Sequence, residues 1–161
     1  MSEAWAAGEI ERRLANLIRL ATVSALDANA ARVKVQIGAV VSDWLPWVTH
    51  RASNDRSWWA PEPGEQVLVL SPSGDLTQAV VLPAIYQANH SAPADSENIH
   101  RVRYKDGTVV EYDRAAHRLL ADLGASKITM DRDHILLESN GSTLELDQAG
   151  IRLNGARIDL N

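Results

Sequence analysis

One four-residue pattern occurs seven times from residue 110 onward: an apolar residue, any residue, a second apolar residue, then Asp, Glu or Asn. The units are Val110-Glu111-Tyr112-Asp113, Leu119-Leu120-Ala121-Asp122, Ile128-Thr129-Met130-Asp131, Ile135-Leu136-Leu137-Glu138, Leu144-Glu145-Leu146-Asp147, Ile151-Arg152-Leu153-Asn154 and Ile158-Asp159-Leu160-Asn161. Alternation at a period of two sends the first and third residue of each unit to one face, and the fourth residue suits a turn. The array therefore reads as seven short strands in a meander, a structural repeat. Units at 110, 128, 144 and 158 lie 18, 16 and 14 residues apart and those at 119, 135 and 151 lie 16 apart, so the array tapers. Gly124, Gly141 and Gly155 follow the even-numbered units, where a tight reversal favours positive φ.

A narrow sheet of this kind has one apolar face, and no amphipathic helix interrupts the repeats to cover it. Small sheets need a second layer. The expected cover is further copies of the same chain, three being the smallest closed arrangement, with the apolar residues on a common axis. The core of that prism is expected to be Val110, Tyr112, Leu119, Ile128, Met130, Ile135, Leu137, Leu144, Leu146, Ile151, Leu153, Ile158 and Leu160. Glu111, Thr129, Glu145, Arg152 and Asp159 face outward, with Leu120 and Leu136 as apolar exceptions. Seven strands about 4.8 Å apart give an element on the order of 30 Å long. The competing arrangement is a β-sandwich in which the first half of the chain covers the second, and the steadily shrinking step argues against it.

Residues 3–18 carry Trp5, Ile10, Leu14, Leu17 and Ile18 near helical spacing, so residues 1–18 are assigned to an N-terminal helix. It serves either to dock a partner or sister subunit or to pack on its own domain. Beyond it the periodicity becomes that of strands. Arg19–Leu26 and Arg32–Ile37 flank a turn at residues 27–31, and Val67–Leu70 and Ala79–Leu82 flank the Pro- and Gly-containing loop 71–75. A fifth run, Trp44–Val48, is broken by Pro46 and reads as an edge strand. Five strands over residues 19–86 fit a small barrel of the oligonucleotide/oligosaccharide-binding (OB) type. Residues 87–100, rich in Asn, Ser, Asp and Pro, read as a linker, and residues 101–161 as the tapering array.

Charge limits the partners. The chain has 16 basic and 21 acidic residues, split 7 to 9 over residues 1–86 and 9 to 12 over residues 87–161. Neither half offers the excess of Lys and Arg that phosphate binding requires. Trp44, Trp47, Trp58 and Trp59 could stack bases beside Arg51 and Arg56, but without a basic surround they read as barrel anchors or hub contacts. With no Cys there is no disulfide, thiolate nucleophile or Cys-based zinc site. Asp113, Asp131 and Asp147 recur at one repeat position and so form a ladder rather than a convergent catalytic pair or a Ca²⁺ cage. Apolar runs are too short for a signal peptide or membrane-spanning helix, so synthesis in the bacterial cytoplasm is expected.

The segments Ser42-Asp43-Trp44-Leu45-Pro46-Trp47, Trp59 to Leu76 with its Pro63-Gly64-Glu65-Gln66-Val67-Leu68-Val69 run, and Ala79 to Tyr86 resemble the baseplate assembly protein V family, the central spike proteins of contractile phage tails and phage-tail-like bacteriocins. The resemblance implies a mainly β homotrimer. In it an OB barrel docks under the tail hub among baseplate proteins, and a triple-stranded β-helix needle makes transient contact with the target envelope and pierces it. It implies a structural protein, not an enzyme, assembled into the tail of a virion or phage-tail-like particle, with no nucleic-acid partner. Family members often end in a His-any-His apex that binds iron. The five His residues here, His50, His90, His100, His117 and His134, contain no such pair, so no cofactor is expected within residues 1–161. That tip then belongs either to residues absent from this sequence or to a separate tip protein. The alternative is an OB-type binding module for an oligonucleotide or oligosaccharide with a β-repeat trimerisation tail.

Overall fold

The computed structural model describes residues 3–159, in two compact units that meet in sequence between Ser91 and Ala92. Leu160 and Asn161, and with them the end of the seventh repeat and the last expected core residue, lie outside the described residues.

The first unit begins with helix α1 (Glu3–Leu17), which runs without a loop into β1 (Ile18–Asp27). Strands β2 (Arg32–Ile37), β3 (Val40–Val41), β4 (Gln66–Leu70) and β5 (Val80–Ile85) complete an antiparallel sheet in the order β3-β2-β1-β4-β5. The Trp44–Val48 run does not form the expected edge strand. Leu45 instead exchanges backbone hydrogen bonds with Val33 of β2 at 2.8 and 2.9 Å, and the Val81 amide of β5 donates to the Pro46 carbonyl at 2.9 Å. Proline lacks an amide but keeps its carbonyl, so Pro46 can serve in this short splice. The splice joins strands on opposite sides of β1 and closes the sheet into a barrel.

Alternate residues of β1, β2, β4 and β5 point into that barrel: Ala21, Val23, Val33, Val35, Val67, Val69 and Val81 are buried, with Leu45 beside them. Small and β-branched side chains suit a closed, strongly curved sheet. The helix is pinned at its C-terminal end. The Ser71 amide donates to the Leu17 carbonyl at 2.8 Å, and Gly74, at φ 72°, lies so close to α1 that a Cβ there would sit 2.5 Å from the Arg13 carbonyl oxygen. Only glycine tolerates both the backbone angle and the approach.

The second unit is a seven-stranded antiparallel meander in which every strand pairs with its sequence neighbours. Its strands are β6 (Ile99–Arg103), β7 (Val109–Asp113), β8 (Arg118–Asp122), β9 (Ser126–Met130), β10 (Ile135–Ser139), β11 (Ser142–Asp147) and β12 (Gly150–Asn154). The number of strands matches the number of repeats, but the sets differ by one. Ile158 and Asp159 of the seventh repeat are not in a strand, while β6 starts inside the stretch read as linker. Ile99-His100-Arg101-Val102-Arg103 has no acidic terminator and a His at one inward position, so the repeat pattern passes over it. Turn chemistry also differs at one of three places. Gly124 and Gly141 have φ of 84°, and Asn140 at 49° makes Asn140-Gly141 a two-residue hairpin turn with both φ positive, whereas Gly155 is not among the glycines with positive φ.

Candidate functional site

The register of the meander carries eleven of the expected core residues onto one face in two straight rows. The first runs His100, Tyr112, Leu119, Met130, Ile135, Leu146 and Ile151, each directly opposite the next across neighbouring strands. The second runs Val102, Val110, Ala121, Ile128, Leu137, Leu144 and Leu153. Directly opposed side chains in an antiparallel pair touch, so each row is a continuous apolar stripe apart from His100. Among the described residues the second unit has no further layer to cover it. Val110 and Met130 are 39 % exposed and Ile151 68 %, while Ile135, Leu137, Leu144 and Leu146 are half-buried, and every buried hydrophobic residue of the described chain belongs to the first unit. Ile158, outside the strands, is exposed as well.

The opposite face is built differently. Its central row is Arg101, Glu111, Leu120, Thr129, Leu136, Glu145 and Arg152. A cross-strand Arg–Glu pair stands at each end, and Leu120 and Leu136, the apolar exceptions, are half-buried between them. Glu111 is only 2 % exposed. Arg101 Nε donates to its Oε2 at 2.6 Å, Arg118 Nη2 lies 3.3 Å from Oε1, and Arg101 Nη1 donates to the Pro93 carbonyl at 2.7 Å. A buried carboxylate is tolerable only when paired in this way. At the other end Glu145 meets His134 Nε2 at 2.9 Å and Arg152 at 2.8 Å, and Arg152 also holds Asp147 at 2.5 Å. Glu111 and Glu145, expected simply as wetted outward charges, are thus members of ion-pair clusters.

The aspartates that close the repeats serve turns, whereas Glu138 lies within β10. Asp113 Oδ1 accepts from the amides of Ala115 and Ala116 at 2.8 and 2.9 Å, Asp122 from Gly124 at 2.9 Å, Asp131 from Asp133 at 3.0 Å and Asp147 from Ala149 at 2.8 Å. Amide donors favour the charged carboxylate, and the Ala116 amide is the largest cause holding Asp113 below the usual aspartate range. Lys127 does the same for Asp122 and Arg152 for Asp147 and Glu145. Each acid serves its own turn, so Asp113, Asp131 and Asp147 present no shared cleft. Among the described residues no three His, Asp or Glu side chains come together as a metal site.

The four barrel tryptophans divide. Trp47 packs against the core and meets Trp58 edge-on, with ring centroids 5.5 Å apart. Trp44, Trp58 and Trp59 are surface residues, so of the two expected roles, anchor or hub contact, that of anchor suits Trp47 alone, with Leu45 beside it. Lys34 sits over the Trp44 ring at 5.1 Å, and Arg51 lies 3.8 Å from Asp55.

Residues 19–86, the closed barrel, match the family model of the type VI secretion system/phage-baseplate injector OB domain. A protein of Escherichia phage P2 named "Spike protein" is 46 % identical over 105 residues, which cover 65 % of this chain and 50 % of the relative. The chain is thus similar to phage-baseplate spike proteins. It spans about half the length of that curated relative. The apolar face of the meander lies outside the matched domain. Sequence periodicity located that face, but not the splice that closes the barrel or the Glu111 cluster. A hint of the latter was present in Arg101, Glu111 and Arg118, charges of alternating sign at outward positions of three successive strands.

Proposed function

We propose that the chain is a non-enzymatic structural spike that works as a homotrimer in a contractile-tail baseplate. The OB barrel docks under the tail hub, with exposed Trp44, Trp58 and Trp59 as candidate hub contacts. Three meanders wind into a triple-stranded β-helix that pierces the target envelope, and residues near the domain junction pass axial load from barrel to needle. The chain is made in the bacterial cytoplasm and joins other baseplate components, with a separate tip protein as a candidate addition. One observation carries this reading: two rows of mainly apolar side chains, with Val110, Tyr112, Ile128, Ile151 and Leu153 among those more than a third exposed, lie on a unit that has no second layer among the described residues. Contiguous apolar surface of this extent marks an interaction face, and three-fold closure hides it while leaving the charged face in water.

Light scattering during size-exclusion chromatography tests the proposal. A mass three times 17.6 kDa is expected, and a particle of 17.6 kDa would overturn it.

A further inference from the structure

The barrel unit carries two more apolar surfaces that its own fold leaves open. On α1, Ile10, Leu14 and Leu17 recur at i, i+4 and i+7 and so share a stripe; Ile10 is 58 % and Leu14 61 % exposed. On the outside of the barrel, strand register lines up Ile18, Leu70 and Val80 in one row and Leu20, Leu68 and Leu82 in the next. Ile18 and Leu20 are 63 % and 58 % exposed. A helix stripe laid on a sheet face is one of the standard ways to bury both.

The helix cannot cover the sheet of its own chain. No residue intervenes between Leu17 and Ile18 to act as a hinge, and the Ser71–Leu17 hydrogen bond and the Gly74–Arg13 approach hold α1 against the 71–74 turn. Each copy therefore offers one helix stripe and one sheet patch that its own fold leaves apart and a second copy can pair. We infer that α1 of one copy packs across the outer face of β1, β4 and β5 of the next, joining the barrels head to tail in a closed ring. A contact that pairs two different surfaces closes into a ring when the rotation permits. The exposed side chains amount to on the order of 600 Å² of apolar surface per contact, too little to hold two copies alone but enough once the three-copy needle keeps the barrels at high effective concentration. The inference rests on the three-copy reading of the needle and adds a second, independent belt of contacts around the barrels.

The absence of cysteine allows a clean test. Leu14→Cys and Leu68→Cys are made separately in the full chain, and each is treated with a short bis-maleimide, alone and after co-expression of the two. Covalent dimers are expected only in the co-expressed sample, because each contact joins a helix to a sheet. Cross-linking of Leu68→Cys with itself would overturn the head-to-tail pairing. A trimer by light scattering that gives no mixed cross-link would overturn this inference and leave the needle trimer standing, with the patch belonging to another baseplate protein. A monomer would overturn both.

Discussion

Asp113, Asp122, Asp131 and Asp147 each commit one carboxylate oxygen to amides two or three residues ahead, and that role decides what substitutions do. Asparagine retains the accepting oxygen, whereas alanine leaves turn amides without their partner. Asp113→Asn should therefore leave assembly and biological activity intact, while Asp113→Ala should lower the melting temperature. Loss of activity in Asp113→Asn, Asp131→Asn or Asp147→Asn with the assembled particle intact would revive an enzymatic role. The same residues set the pH response. Asp106, Asp113, Asp122, Glu145 and Asp147 are all shifted downward in the folded chain, by turn amides and by Lys127 and Arg152. Their contribution is full above the ordinary values of 3.8 for Asp and 4.5 for Glu and is lost as pH falls through the lower folded values. Melting temperature should hold from neutral pH to about pH 5 and decline below about pH 4. A rise on acidification would show that these groups repel in the folded state.

At the scale of elements, the two faces of the meander should respond oppositely to charge. Leu146→Asp would bring three carboxylates together inside a dry three-copy core, at a cost of several kcal/mol per buried unpaired charge. Glu138→Gln, at an exposed position on the other face, should change stability by less than about 0.5 kcal/mol. Equal effects on trimer dissociation would refute the assignment of faces. Outward positions are not all alike: Glu111→Ala removes the shared partner of Arg101 and Arg118 and should cost about 1–3 kcal/mol. In the barrel, Gly74→Ala must either shift the 71–74 turn or release α1. Its expected cost is about 1–3 kcal/mol, with loss of helical circular dichroism if the helix detaches. An unchanged melting curve would mean that the contact at Arg13 is not what holds the helix.

At the scale of the whole molecule, the proposed division of labour predicts separable failures. Removing residues 101–161 should leave a barrel that still enters the baseplate and a particle that cannot penetrate. If the truncated chain fails to enter the baseplate although its barrel melts cooperatively, docking also needs the needle. Much of this organisation follows from local pattern. Alternation at period two identified six of the seven meander strands and their apolar face, because side chains on a strand alternate whatever lies next to them. Helical spacing located α1, and the hairpins of the barrel were marked by their turn residues. The places where local pattern fell short are those where a distant partner decides the outcome. Ile99–Arg103 becomes a strand because β7 offers it a free edge, and Trp44–Val48 becomes a splice because β2 and β5 both reach it. Gly74 is required by the helix packed against it, and Glu111 is buried because Arg118 and Arg101, itself held by the Pro93 carbonyl, converge on it. Periodicity is a property of neighbours in the chain and can be read there, whereas closure, burial and charge pairing are properties of neighbours in space and were decided only by the tertiary structure.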